Sequence, residues 1–264
     1  MDKVFEFLAG PGSLERPLVM GILNITPDSF HDGGRYFDAE HAVWQARFLA
    51  GEGADIIDVG AASSRPGYTP VSGDEELSRL LPVLFALKDE DLPPLSVDTD
   101  KLQVAEAAVE HGMSIINDTS GDLESGCFEL AARMSLPLII MHRQACPEDR
   151  DIVREVEGFF YSAMAKAKES GLPEELLILD PGLGFNKSVE ENNELIDAIP
   201  RLKLLGRPLL IGYSHKRFAA ARAGERSGLA PIGNAILAKT VTALGAVIVR
   251  VHDVRAFLES IENG

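Results

Sequence analysis

The sequence predicts a single (β/α)8 barrel, a TIM barrel in the α/β class, with its site at the C-terminal ends of the strands. Three observations predict it. Short apolar runs alternate with amphipathic stretches along the chain, the pattern of repeated strand-helix units. Eight such units fit in 264 residues, which is the arithmetic of this architecture and the size of one large core. Each apolar run is also followed by polar or charged residues, as a barrel with its reacting groups at one face requires. No Pro/Gly/Ser linker or shift in composition divides the chain, so residues 1–264 are expected to form one domain. A doubly wound open sheet is the alternative, but no GxGxxG turn follows the first strand.

The first strand candidate, Leu18 to Leu23, lies between Pro17 and Asn24 and reads as covered on both faces. Thr26-Pro27-Asp28 and Asp32-Gly33-Gly34 then bracket Ser29, Phe30 and His31, so a working loop of about ten residues is expected there. Asp38 is placed to cap a helix ending near Gly53, in which Ala42, Val43, Ala46, Leu49 and Ala50 keep helical spacing. The remaining strand candidates are Asp55 to Val59, Pro94 to Val97, Ser114 to Ile116, Leu136 to Met141, Leu176 to Leu179, Pro208 to Ile211 and Ala246 to Val251. Ser72 with Glu75 and Ser188 with Glu191 have capping-box spacing. Gly112, Gly171, Gly206 and Gly245 end helical stretches before the next strand.

Composition narrows the function. With 41 acidic and 25 basic residues the net charge is −16, which argues against a nucleic-acid surface and makes any anionic ligand depend on a local basic cluster. Apolar runs fall well short of the roughly eighteen residues of a membrane span, and the N-terminus lacks a signal-peptide core, so a soluble cytoplasmic protein is expected. Cys127 and Cys146 have neither metal-ligand spacing nor a disulfide-rich context, and are expected to be reduced.

The residues at the strand ends carry the chemistry. In order they are Asn24; Gly60 with Ser63-Ser64-Arg65-Pro66-Gly67; Asp98; Asn117-Asp118; His142-Arg143; Asp180-Pro181-Gly182 with Phe185 and Lys187; Ser214-His215-Lys216-Arg217; and His252-Asp253, with Arg250 just before. Asp253 is best read as the N-cap of the last helix. Asp98, Asn117 and Asp180 form a set of acceptors and an amide suited to a flat heterocycle presenting several N–H donors, such as a pterin or a guanine-like edge. Arg250, His252 and Arg65 suit a phosphate or pyrophosphate, and Lys216 stands between the two groups.

These motifs resemble the dihydropteroate synthases. The matching pieces are MGILNITPDSFHDGG, GADIIDVG followed by SSRPG, LSVDT, IINDTSG, LIIMH, LILDPGLGF, an SxK after strand seven and RVHDV, in the family's order over nearly the whole chain. The resemblance implies condensation of 6-hydroxymethyl-7,8-dihydropterin pyrophosphate with p-aminobenzoate, giving dihydropteroate and pyrophosphate. It implies pterin binding by Asp98, Asn117, Asp180 and Lys216, and pyrophosphate binding by Asn24, Arg65, Arg250 and His252, with Mg2+ at Asn24. Ser64, Pro66, Phe185, Lys216 and Arg217 would line the aminobenzoate site. Phe30 and Asp32 would lie in a first closing loop, and Ser64, Arg65 and Pro66 in a second. A homodimer is implied as well.

Three departures bear on the second substrate. Ala62 stands where the family usually has a carboxylate before the serines. His215 and Arg217 replace both usual neighbours of the lysine, and Asn186 replaces the glycine after DPGLGF. A pterin-binding paralogue that uses a modified arylamine or lacks synthase activity therefore remains an alternative. A pterin-dependent methyltransferase on the same fold is a more distant one, since it would not need the arginine-histidine ending.

Overall fold

Apolar runs rich in Ile, Leu and Val favour strands that are covered on both faces, and the chain places eight of them in one parallel sheet. The computed structural model describes residues 14–25, 35–62, 71–147, 150–213 and 230–262. The strands are β1 (Leu18–Asn24), β2 (Ile56–Gly60), β3 (Leu95–Thr99), β4 (Ile115–Asp118), β5 (Leu138–Met141), β6 (Leu177–Asp180), β7 (Leu210–Gly212) and β8 (Ile248–Val251). The described helices are α1 (Arg35–Gly51), α2 (Gly73–Leu87), α3 (Leu102–Glu110), α4 (Cys127–Met134), α5 (Ile152–Ser170), α6 (Val189–Asp197), the short α7 (Ile199–Leu202), α8 (Ala230–Leu244) and α9 (Val254–Glu262).

Pairing runs β6-β5-β4-β3-β2-β1-β8-β7. A parallel bridge between Leu179 and Leu209 joins the two ends, so the sheet curls into a barrel rather than staying open. The open-sheet alternative is thereby excluded. No described helix is long and apolar enough to cross a membrane.

Strand alternation divides the core in two. Leu18, Met20, Ile56, Ile115, Ile139, Ile178, Leu210 and Ile248 form one buried cluster, which plugs the barrel floor. The alternate strand residues, including Val19, Ile57, Val97, Ile116, Ile140, Leu179, Ile211 and Val249, pack outward against helix residues such as Leu49, Leu84, Phe128, Phe160 and Leu237. The period-two alternation of a strand assigns every second residue to each core.

Helix ends follow the sequence signals with two differences. Ser188 and Glu191 close a full capping box at α6. At α2, Ser72 Oγ accepts from the Glu75 amide at 3.2 Å, whereas the Glu75 side chain pairs with Arg79. Helix α1 begins at Arg35, so Asp38 lies inside the helix rather than at its cap. Gly112, Gly171, Gly206 and Gly245 all adopt positive φ, the left-handed turn that a side chain resists. Asp253 Oδ1 accepts from the Ala256 amide at 2.9 Å, the expected N-cap of α9.

Candidate active site

On five of the strands the inward-facing position one pleat above the apolar floor is polar. Two residues on from Ile56, Ile115, Ile178 and Ile248 come Asp58, Asn117, Asp180 and Arg250, and Asp98 stands two on from the buried Ser96. Because each strand returns to the same face every second residue, these groups converge at the barrel mouth. Gly60 pairs with Asp98, and Asp98 with Asn117, in adjacent register.

Arg250 ties the layer together. From β8 its Nε donates to Asp58 Oδ2 at 2.6 Å on β2, and its Nη2 donates to Asp98 Oδ2 on β3. Asn117 Nδ2 donates to the same Asp58 oxygen at 3.1 Å, and Thr119 Oγ1 donates to Asp98 Oδ1 at 3.2 Å. Asn117 Oδ1 and Asp58 Oδ1 are buried with no hydrogen-bond partner among the described residues. Burial pushes the Asp98 carboxyl up to about 6 and the nearby Asp58 charge adds to this, with Arg250 opposing. Burial alone would weaken the charge on Arg250, but Asp58 and Asp98 outweigh it and hold the guanidinium charged.

Asp180 is built into a turn. Its Oδ1 accepts from the Gly182 amide at 2.7 Å and its carbonyl accepts from the His142 amide at 2.9 Å. Gly182 has φ +66°, and a Cβ there would stand 2.0 Å from the His142 carbonyl oxygen, so only glycine fits. Lys187 clamps the turn by donating to the carbonyls of His142, Gly182 and Phe185 at 3.0, 3.1 and 3.1 Å. Burial lowers the Lys187 ammonium to about 8. Asn186 adopts φ +48°, a region where asparagine is among the few side chains tolerated, and its Nδ2 donates to the Arg143 carbonyl at 3.0 Å. The substitution for glycine thus preserves the turn.

Several strand-end residues serve the scaffold. Asp118 accepts from the Ser120 amide at 2.9 Å and from Ser125 Oγ at 2.7 Å, which orders the turn after β4. His142 is buried edge-on to Phe159, and burial followed by the Lys187 charge holds its ring down to about 4. Cys127 and Cys146 are free thiols.

Of the residues expected in the site, the structure brings Asp98, Asn117 and Arg250 into one hydrogen-bonded group through Asp58. Asp180 lies close enough to add to the field holding Arg250 charged. Arg250, grouped by sequence with the phosphate-binding cations, here rests on Asp98 of the pterin-type set and on Asp58. Asn24 ends β1 half-buried, opposite Gly60 in register. His252 follows β8 and Phe185 lies in the turn after β6, both half-buried. Phe30, Asp32, Ser64, Arg65, Pro66, Lys216 and Arg217 lie outside the described residues, as do both expected loops.

Sequence reading overlooked Asp58 and Thr119. A charged residue at an inward position of the apolar run in GADIIDVG is the signal that finds Asp58, since a fully buried carboxylate needs partners. Thr119 carries no comparable signal, because threonine is common after strands.

Comparison with known proteins adds to this geometry. A family model described as pterin binding enzyme matches residues 20–252. A dihydropteroate synthase of Streptococcus pyogenes is 40% identical over 241 residues, covering 90% of this chain and 91% of its own. A probable bifunctional folylpolyglutamate synthase/dihydropteroate synthase of Halobacterium salinarum is 43% identical over 253 residues, covering 92% of this chain; the chain spans 31% of that protein's length. The crystal structure of a Clostridium difficile dihydropteroate synthase in the presence of pteroic acid superposes with a TM-score of 0.88 at 37% identity, covering 94% of this chain and 95% of that one.

Proposed function

The chain belongs to the pterin-binding enzymes, and we infer that it is a dihydropteroate synthase. It joins 6-hydroxymethyl-7,8-dihydropterin pyrophosphate to p-aminobenzoate and releases pyrophosphate. The observation that carries this reading is the buried acceptor group of Asp98 and Asn117, tied to Arg250 at the mouth of a barrel that matches known synthases over nearly its full length.

The chemistry derives from charge. The C–O bond between the pterin methylene and pyrophosphate breaks before the weakly basic arylamine attacks. The new N–C bond then forms with loss of the amine proton. Asp98, Asn117 and Asp180 accept hydrogen bonds from the pterin, and the two carboxylates stabilise the positive charge that develops on it. Lys216 completes this set. Arg250, His252, Arg65 and Asn24 take the leaving pyrophosphate. Ser64, Pro66, Phe185, Lys216 and Arg217 surround the aminobenzoate. Phe30 and Asp32 belong to a loop that keeps water, a competing nucleophile, from the methylene cation.

Mg2+ is part of the proposal. Asn24 offers an amide oxygen, half-buried at the end of β1. One protein oxygen together with phosphate oxygens suits Mg2+, which keeps waters and substrate phosphates as ligands. When bound, the ion neutralises charge on the leaving group. The proposal extends to a homodimer in the cytoplasm, supported by the family resemblance.

Arg217, in place of the usual serine, supports a second reading in which the arylamine is a larger anion, since a guanidinium grips a carboxylate in two places. Complementation of a strain lacking its own synthase tests both. Growth with the unmodified gene supports the ordinary substrate. Growth only with Arg217→Ser moves the weight to a modified arylamine, and no growth with either gene counts against the synthase.

A further inference from the structure

Asp58 is fully buried, deeper than Asp98, and it holds two groups of the proposed site. Its Oδ2 receives Arg250 Nε at 2.6 Å and Asn117 Nδ2 at 3.1 Å. The second contact fixes which way the Asn117 amide points, and leaves its Oδ1 a buried acceptor without a partner among the described residues. The first contact gives Arg250 an anion of its own. Asp98 also carries Arg250, on Oδ2, and Thr119 on Oδ1, so a ligand N–H arriving at Asp98 must share or displace these donors.

We propose that Asp58 is a positioning residue for the pterin site: it retains Arg250 through Nε and orients Asn117, so that Asp98 can turn to the substrate without leaving the half-buried guanidinium unpaired. The inference rests on the synthase reading for the identity of the ligand. Its physical basis is general. A guanidinium partly withdrawn from water and stripped of every carboxylate is disfavoured, so a site that lends one of its carboxylates to substrate needs a second that it keeps. Asp58, more deeply buried than Asp98, is the one that is kept.

Among the described residues, the charged and titratable groups facing Asp98 are Asp58 from β2, Arg250 from β8 and Glu76 from α2, with the Thr119 hydroxyl beside them. Of these, Asp58 and Glu76 oppose ionisation of Asp98, and Arg250 and Thr119 favour it. Removing the Asp58 charge therefore has two separable consequences. Arg250 falls back on Asp98 and competes with the ligand there. At the same time Asp98 ionises at lower pH.

Asp58→Asn keeps the shape and removes the charge. The expected result is a KM for the dihydropterin pyrophosphate raised by about tenfold or more, the scale of one hydrogen bond to a charged group. The KM for p-aminobenzoate stays within about twofold on the same reasoning, because that substrate does not use Asp98. The acid limb of kcat/KM moves to lower pH. A merely structural Asp58 would lower kcat and thermal stability together and leave the acid limb in place, and that result overturns the proposal. If Asp58→Asn does not fold, carboxyl-carbon NMR of the unmodified protein carries the test, with 6-hydroxymethylpterin as the probe. The Asp98 resonance should change on binding while Asp58 keeps that of a paired carboxylate; an equal change at Asp58 overturns it. An unmodified protein that binds this probe but makes no pteroate defeats the synthase reading alone, and the comparison of probe affinity between it and Asp58→Asn still decides the role of Asp58.

Discussion

The floor and the mouth of this barrel are built from the same strands, one pleat apart, and do opposite work. At the floor, Ile56, Ile115, Ile178 and Ile248 fill space. Two residues further along, Asp58, Asn117, Asp180 and Arg250 occupy the equivalent positions and bring polar and charged groups into a largely buried place. The floor gains stability from burial. The mouth gives some of it up, because buried carboxylates must be paired or lifted in pKa. The comparison teaches that the register which closes the barrel is also what aligns the site, so neither layer can slip without the other.

Substitutions can break or sharpen this contrast. The largest effect belongs to the proposed pterin-binding residues: Asp98→Asn or Lys216→Ala should lower turnover by a factor on the order of a hundred or more, with the thermal midpoint nearly unchanged. Steady-state rates alongside a melting curve check this, and near-normal turnover in either variant would defeat the assignment. At the floor the balance reverses. Ile178→Ala should cost about 2–5 kcal/mol in denaturant unfolding while leaving both KM values close to those of the unmodified enzyme.

The pH dependence separates the layers further. Asp98, raised to about 6 by burial, is a carboxylate only above that pH, so kcat/KM for the pterin substrate should fall as pH drops through 6. For stability the sign is the other way. The folded chain binds the Asp98 proton more tightly than the unfolded chain does, so this group's contribution is largest at low pH and is lost as pH rises through 6. His142 acts oppositely: it is held neutral down to about 4, so stability is lost as pH falls below its ordinary 6.5 towards that value. His142→Gln should flatten the acid side of a stability-pH curve while keeping the acid limb of catalysis.

The smallest effects lie in the turn that carries Asp180. Ser188→Ala should cost about 1 kcal/mol through loss of its cap. Asn186→Ala should cost a similar amount, about 1–2 kcal/mol, because alanine resists the left-handed φ, while Asn186→Gly should be nearly neutral. Equal effects of the alanine and glycine changes would contradict the geometric account of that position.

Much of the architecture was legible because strand and helix periods differ and because glycines end the helices. Strand limits were less so. Six of the apolar runs stop where the polar residues begin, yet pairing continues through Asn24, Gly60, Thr99, Asp118, Asp180 and Gly212, since backbone hydrogen bonds are indifferent to side-chain polarity. At the other ends, Pro94 and Pro208 lack an amide to donate, and β3 and β7 begin after them. Asp55 uses its carboxylate on the Val19 amide at 2.8 Å and on Arg16, just ahead of β2. Asp98, Asn117 and Asp180 were legible because each stands at the polar end of an apolar run. Asp58 was overlooked because its signal lies within the strand rather than at its polar end, and no local pattern announces that Arg250 reaches across β1 to two acids at once.

The central claim is that this mouth catalyses a condensation rather than only binding a pterin. The most direct test is release of pyrophosphate from the dihydropterin pyrophosphate with Mg2+, measured with and without p-aminobenzoate, with the product identified by mass. The account predicts release that depends on p-aminobenzoate and a product with the mass of dihydropteroate. Pterin binding with no pteroate formed would contradict it.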